Sequence, residues 1–424
     1  MNIESKRIMK HYLLILCCIC SLTINAQEYY THIYEDSANA ASNLNPYPNA
    51  ALDTAAVPDG YEPFYINHYG RHGSRYLTSD VKFDMVMKVM DDAAANGYLT
   101  PLGKDFRNEL RAVYDEQQGL EGVLTRRGAK EHREIAERMA RNYPSVFAAD
   151  NSLKKVNCVS SNVHRCLLSM NNFTLALSKY APDVQIEMLT GERYMTYINK
   201  HIDSRVNRIR ADVKEDSLRR SLMDPKVMFG CLFTDPSRML DIVDDPHDFC
   251  RHLYLASCNG SLTDVAVNLL RHYPTDELCR EWYIRNERFY MAYSLSKDNE
   301  KILEQVARPL LADFVEKADI ALGDHRIAAD LRFGHDTGLL PFVAFIGLEG
   351  QPARIEFGAV SNLWNSSEKI CMGSNLQMIF YRNEKQHILV KLRFNETDSC
   401  LTDLTPDTGV YYDWNRLRSY LLSL

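Results

Sequence analysis

The sequence predicts an α/β fold: a mostly parallel central sheet flanked by helices, with a helical cap inserted into it. Two observations predict it. Strand-like segments gather near the two ends of the 424-residue chain, while the middle reads as helix. Three of those strands stop at polar turns, two of them with glycine, as in open sheets whose ligand crevice lies beyond the strands' carboxyl ends. Composition agrees, since 46% hydrophobic and 25% charged residues with 19 Gly and 15 Pro exclude a disordered or collagen-like chain.

The elements follow in order. Lys6, Arg7 and Lys10 precede a 12-residue apolar run at 13–24, too short to span a bilayer, and Ile24-Asn25-Ala26 offers a signal-peptidase site. Residues 1–26 therefore read as a signal peptide, and the protein as periplasmic or secreted. No membrane insertion of the mature chain is expected. Residues 27–192 and 323–424 form the expected core domain, and 193–322 the expected helical cap. The alternating segment 62–69 is a strand that runs into Gly70-Arg71-His72-Gly73, and a helical pattern resumes over 80–95. A second strand, 155–160, exits through Ser160-Ser161-Asn162, turn-formers suited to capping a helix over 163–179.

Within the cap, Asp224-Pro225, Asp235-Pro236 and Asp245-Pro246 each set an N-cap former before a Pro that suits the first helical turn. Ser261-Leu262-Thr263-Asp264 resembles a capping box. Ile302, Val306, Leu310, Phe314 and Ala318 recur at fours, the stripe of a core-packing helix. A third strand, 327–333, ends at Gly334-His335-Asp336, and 376–382 with 387–394 read as a β-hairpin around 383–386.

A formal charge of −7, near −9 without the signal segment, gives no overall basis for binding nucleic acid. An anionic ligand must be held by a local arginine cluster. Eight cysteines remain in the mature chain (Cys158, Cys166, Cys231, Cys250, Cys258, Cys279, Cys371 and Cys400). Export permits disulfides among them, and buried free thiols are the even alternative. No Cys-x-x-Cys spacing occurs, so a zinc site is not expected, and no other cofactor is called for.

The three strand ends carry the chemistry. Arg71, Arg75 and Arg165 offer planar, permanently charged donors to the oxygens of one phosphoryl group. Surrounding guanidiniums hold His72 neutral, and a neutral imidazole can attack phosphorus to give a phosphohistidine. His335 can donate to another phosphate oxygen, while Asp336 can protonate the leaving oxygen and then activate water. Activity is then expected to fall as pH rises through the pKa of Asp336. The arginines supply the positive field a metal gives elsewhere. His68 and His164 read as packing residues or as side chains one layer behind the site. Arg126, Arg127 and Lys130 read as a solvated helix face, and one or two of Arg193, Lys200, Arg205, Arg208 and Arg210 are expected to face the cleft.

The pattern Arg71-His72-Gly73-Ser74-Arg75, an isolated Arg165 after a mid-chain strand, and His335-Asp336 near the end resembles the histidine acid phosphatase family. This is the branch of the histidine phosphatase superfamily that contains phytases and multiple inositol polyphosphate phosphatases. The resemblance runs over about 58–396 and includes Leu124-Thr125-Arg126-Arg127-Gly128, followed by His132, at a helix start. It implies His72 as nucleophile, Asp336 as proton donor, and Arg71, Arg75, Arg165 and His335 as phosphate ligands. The expected function is hydrolysis of a small-molecule phosphomonoester, foremost phytate or another inositol polyphosphate. The alternatives are a broad-specificity acid phosphatase acting on sugar phosphates and a catalytically silent phosphoanion-binding protein.

Overall fold

The computed structural model describes residues 30–48, 55–148, 153–198, 204–212 and 215–424, so the expected signal segment lies outside the described residues. One sheet holds eight strands: β1 (Tyr61–Arg71), β2 (Lys155–Ser160), β3 (Gln185–Thr190), β4 (Ile327–Gly334), β5 (Asn375–Asn383), β6 (Ile388–Phe394), β7 (Thr397–Ser399) and β8 (Tyr411–Asp413). Their order is β3-β2-β4-β1-β5-β6-β7, with β8 also on β6. The half that carries the three motifs is parallel, as expected. The other half is antiparallel, because the short connections of the 375–394 hairpin cannot make the crossover a parallel pair needs. β3, β7 and β8 are absent from the sequence reading. β3 is a largely exposed sheet edge whose one apolar face is only Ile186 and Met188, and the other two span three residues each.

Register decides where the chemistry sits. Arg71 pairs with Gly334 and Ser160 with Phe333, so β1, β2 and β4 finish level and in parallel. Three motifs far apart in sequence are thereby delivered to one edge of the sheet. Helices cover both faces. On one, the helices Arg126–Asn142 and His164–Tyr180 bury Ile135, Met139, Phe173 and Leu177 against Ile66, Val156, Leu331 and Phe333. On the other, Glu300–Gly323, Asp336–Phe345 and Trp414–Ser423 pack on Tyr65, Tyr69, Leu376 and Phe380. The stripe at fours is the core face of the Glu300–Gly323 helix, which thus lies on the sheet rather than in a cap.

A second helical core is built from more of the chain than 193–322. It joins Leu44, Phe83, Met90, Phe106 and Val113 to Phe229, Phe249, Leu253 and Trp282. All three Asp-Pro pairs begin helices as expected, with the Asp side chain accepting from backbone amides. The capping-box pattern at Ser261–Asp264 starts no helix: its amides at Asp264 and Val265 are taken by Glu116, at 2.9 and 3.0 Å, within a loop. The eight cysteines of the described residues are free thiols. Among the described residues, no helix is long and apolar enough to cross a membrane.

His68 and His132 lie buried beneath the site, with ring centroids 5.7 and 5.9 Å from that of Phe333. His68 is thus a packing residue, as read. Burial pushes the two imidazole pKa values down to about 3 and about 4. A histidine whose folded pKa lies below its unfolded value favours unfolding as pH falls below about 6.5. His132→Leu should therefore gain about 2 kcal/mol relative to the parent between pH 7 and pH 5, read as the change in denaturation midpoint at the two pH values.

Candidate active site

The loop after β1 is braced before it is charged. Its backbone is tied to both neighbours: Arg71 N donates to Ser374 O, His72 N to Gly334 O, and Gly373 N to His72 O, at 2.8–3.0 Å. Gly73 lies against Gly128, where an added Cβ would come within 2.5 Å of the Gly128 carbonyl, and a Cβ on Gly128 would strike the Ser74 backbone. Thr125 caps the Arg126–Asn142 helix by accepting from Gly128 N at 3.2 Å. One turn on, buried Glu131 accepts from Ser74 N at 2.7 Å, Ser74 Oγ at 2.6 Å and Tyr47 N at 3.2 Å. The sequence reading missed Glu131. Its only signal is a carboxylate on the buried face of a strongly amphipathic helix.

His72 is 2% exposed. Its Nδ1 lies 2.9 Å from the Gly73 carbonyl, which can only accept, so Nδ1 carries the proton and Nε2 keeps its lone pair. Burial first, then Arg165, Arg71, His335 and Arg75, hold its pKa well below the ordinary imidazole value. The ring is therefore neutral. His335 stands edge-on to it, with centroids 5.6 Å apart.

His335 is held from behind. Its backbone N donates to Tyr69 Oη at 3.2 Å, and Tyr69 Oη donates to Ile198 O at 2.9 Å. A Cβ at Gly334 or Gly338 would collide with that hydroxyl. Ser161 Oγ lies 3.1 Å from His335 Nε2, and Cys166 Sγ lies 3.5 Å from the same nitrogen and 3.2 Å from Gly334 O. The Ser160-Ser161-Asn162 turn thus departs from expectation. The following helix has Val163 at its N-cap without a side-chain cap, and the Ser161 hydroxyl accepts from Val163 N at 3.3 Å, one residue before the helix, while it also meets His335.

A cavity of about 280 Å³ opens over the three strand ends, and His72, Arg75, Arg165, His335 and Asp336 line it. Arg71 does not line it. Fully buried, it sits beneath, with NH1 donating to Asn43 O and Ile370 O at 2.7 and 2.6 Å and NH2 paired with Asp336 Oδ2 at 2.9 Å. Asp336 also accepts from Asn43 Nδ2 at 3.1 Å and from Thr337 N at 2.8 Å. Burial opposes its ionisation, but Arg71, His335 and Arg75 prevail and hold the carboxyl well below its usual range. Among the described residues, Arg75 and Arg165 have no carboxylate in ion-pair range. Burial, then Arg165 and Arg71, press the Arg75 pKa down.

The far wall corrects the basic residues chosen from sequence. Arg193, Arg205 and Arg208 do not line the cavity, and Arg205 instead donates to Gln305 at 2.5 Å. Lys200 and the Arg210 side chain lie outside the described residues. Arg126 and Lys130 are exposed and pair with Asp264 and Glu134, as a solvated helix face should. The lining arginines are Arg251, Arg285 and Arg288, from the helices Pro246–Asn259 and Thr275–Tyr293. Arg251 and Arg288 pair with Glu215 at 3.3 and 2.5 Å, whereas Arg285 donates to the Asn43 side chain at 3.0 Å, lies over the Phe289 ring and has no carboxylate in ion-pair range among the described residues. The available signal was Arg285-x-x-Arg288 on a helix otherwise almost wholly buried.

This architecture matches solved structures. Multiple inositol polyphosphate phosphatase from Bifidobacterium longum, solved with phosphate, aligns at TM-score 0.73 and 18% identity, over 90% of this chain and 97% of that one. Its complex with inositol hexasulfate aligns at 0.71 with the same identity and coverage. A phytase from D. castellii aligns at 0.65 and 13% identity, over 91% and 85% of the two chains. The chain has the histidine acid phosphatase fold. No family model matches the sequence, and no curated protein matches it. The likeness lies in the path of the backbone, and the chemistry must be argued from this chain's own side chains.

Ser161 anchors a ring that touches the cavity without lining the cavity itself. Ser161→Ala should cost about 1 kcal/mol of stability by removing one buried hydrogen bond, and should weaken binding of inorganic phosphate by about tenfold as the His335 ring loses its anchor. A denaturation curve beside a phosphate titration checks both.

Proposed function

We propose that this chain is an exported phosphomonoester hydrolase that works through a phosphohistidine at His72, with inositol polyphosphates as its substrates. One observation carries the reading. A neutral imidazole with its Nε2 lone pair available shares a single cavity with Arg75, Arg165 and Arg285, three guanidiniums without carboxylate partners among the described residues. An anion with distributed charge is the ligand that relieves that arrangement, and a phosphoryl group presents three equatorial oxygens to it.

The steps follow from the side chains. Arg75, Arg165 and His335 take the phosphoryl oxygens, and His72 Nε2 attacks phosphorus as the P–O ester bond breaks. Asp336 hands a proton to the departing alkoxide. It then takes one from the water that attacks the phosphohistidine, which frees phosphate and restores neutral His72. Arg71 acts one layer back and holds the Asp336 carboxylate in place. Because Arg71, His335 and Arg75 hold Asp336 ionised, its proton must come with the substrate. The acid preference expected from sequence therefore follows the substrate monoanion, whose second pKa is about 6, rather than the free carboxyl. Arg251, Arg285 and Arg288 then meet further phosphates on the same molecule. This is the feature that favours an inositol polyphosphate over a simple monoester.

Phosphate release from phytate and from an aryl phosphate, with a chelator present and a His72→Ala control, tests the reading. Preferential phytate turnover that survives the chelator and vanishes in the control is the expected result. Turnover of the aryl ester alone would move the substrate to general monoesters, and binding without turnover would leave a phosphoanion-binding protein.

Two further outcomes are expected. Asp336→Asn should slow alkyl phosphates by about a hundredfold or more and an aryl phosphate far less, because an acidic phenol leaves without a donated proton. Arg285→Ala should weaken phytate turnover more than aryl phosphate turnover in parallel kcat/KM measurements.

A further inference from the structure

The cavity holds one carboxylate that the chemistry above does not use. Asp80 lies in its wall, on the turn that follows the His72 loop. The turn is closed by Val81 N donating to Thr78 O at 3.0 Å, and the Thr78 hydroxyl donates to Asp80 Oδ1. Asp80 has no ion-pair partner among the described residues. The neighbouring lysine, Lys82, is paired elsewhere, with Asp248 at 2.6 Å. Asp80 nonetheless stands in the field of Arg75 and Arg285, which together with the Thr78 bond outweigh burial and keep it ionised. Its turn is close to the reacting end of the cavity: a side chain on Gly122 would meet Thr78 Cγ2 at 3.4 Å and Arg165 NH1 at 3.7 Å.

A site shaped only to collect phosphates would not place an ionised carboxylate there. A carboxylate accepts hydrogen bonds and repels a phosphate, so beside the reacting phosphoryl group it accepts from a substrate donor. The donor a phosphorylated polyol can offer at that position is a hydroxyl. A carboxylate that served only as counter-ion to Arg75 or Arg285 would be drawn into ion-pair range of one of them, and it is not.

We propose that Asp80 is a specificity residue that binds a free hydroxyl next to the ester being cleaved. The enzyme would then favour polyol phosphates that are only partly phosphorylated and disfavour the fully phosphorylated ring. This rests on the inositol polyphosphate reading and narrows it. The site rejects the wrong ring by placing like charges together, rather than by losing contacts to it.

The test compares the mature chain with Asp80→Asn and Asp80→Ala on three substrates: inositol hexakisphosphate, an inositol tetrakisphosphate and an aryl phosphate. The readout is the ratio of kcat/KM for the hexakisphosphate to that for the tetrakisphosphate. It should rise about tenfold in Asp80→Ala, and in Asp80→Asn it should rise as well, because the charge is gone while the shape is kept. Both variants holding the parental ratio within about twofold would overturn the proposal, including where all three substrates slow together, the mark of a purely structural carboxylate. Should the parent cleave the aryl phosphate and neither inositol phosphate, the substrate reading itself fails and this inference falls with it.

Discussion

Positive charge held without counter-ions governs this site. Arg75, Arg165 and Arg285 share a small cavity in which water is partly excluded, and no carboxylate among the described residues pairs with any of them. Of the two carboxylates in the cavity wall, Asp336 is already taken by Arg71, and Asp80 is in ion-pair range of none of the three. Several consequences follow from that imbalance. His72 is kept neutral, and hence nucleophilic, because a further positive charge there is doubly penalised by burial and by the arginines. Asp336 is kept ionised until an anion arrives to offset the same field. An anion is the ligand that offsets this field, and on the proposed reading its binding would set the protons available for reaction.

Such a cluster repels itself, so the fold must hold it. The brace is mostly backbone and mostly behind the site. Parallel register brings the ends of β1, β2 and β4 level, and backbone bonds tie the Arg71–Gly73 segment to Gly334, Gly373 and Ser374. Glu131 fixes Ser74 and Tyr47, while Gly73 and Gly128 let the helix start approach the loop closely enough for this. Tyr69 performs the matching task for His335. These residues do not line the cavity, yet each restricts where a lining residue can go.

The strand-end residues that meet at the cavity were legible in the sequence because they are local. Arg71, His72 and Arg75 fall in one turn and His335-Asp336 in another, and strand patterns preceded both. β2 was readable to the residue, since its alternation is clean between turn-formers. The outer wall was hidden for a physical reason. Arg285 and Arg288 belong to a helix whose surroundings are set by contacts with Asn43 and Glu215, far away in the chain, whereas Arg205 and Arg208 looked equally suitable by composition. Asn43 was hidden too, for it reaches Asp336 from a short 3₁₀ segment without a motif. The cap's limits were misplaced because the Glu300–Gly323 stripe identifies a buried face without saying which layer buries it.

The claim at the centre of this account is that His72 Nε2 forms a bond to phosphorus. Rapid mixing with a radiolabelled phosphomonoester, followed by an alkaline quench that preserves phosphohistidine and by peptide mapping, tests it most directly. The account predicts the phosphoryl group on the peptide containing His72, formed and lost fast enough to match turnover. Turnover with the label on another residue, or with no labelled protein at any time, would contradict it.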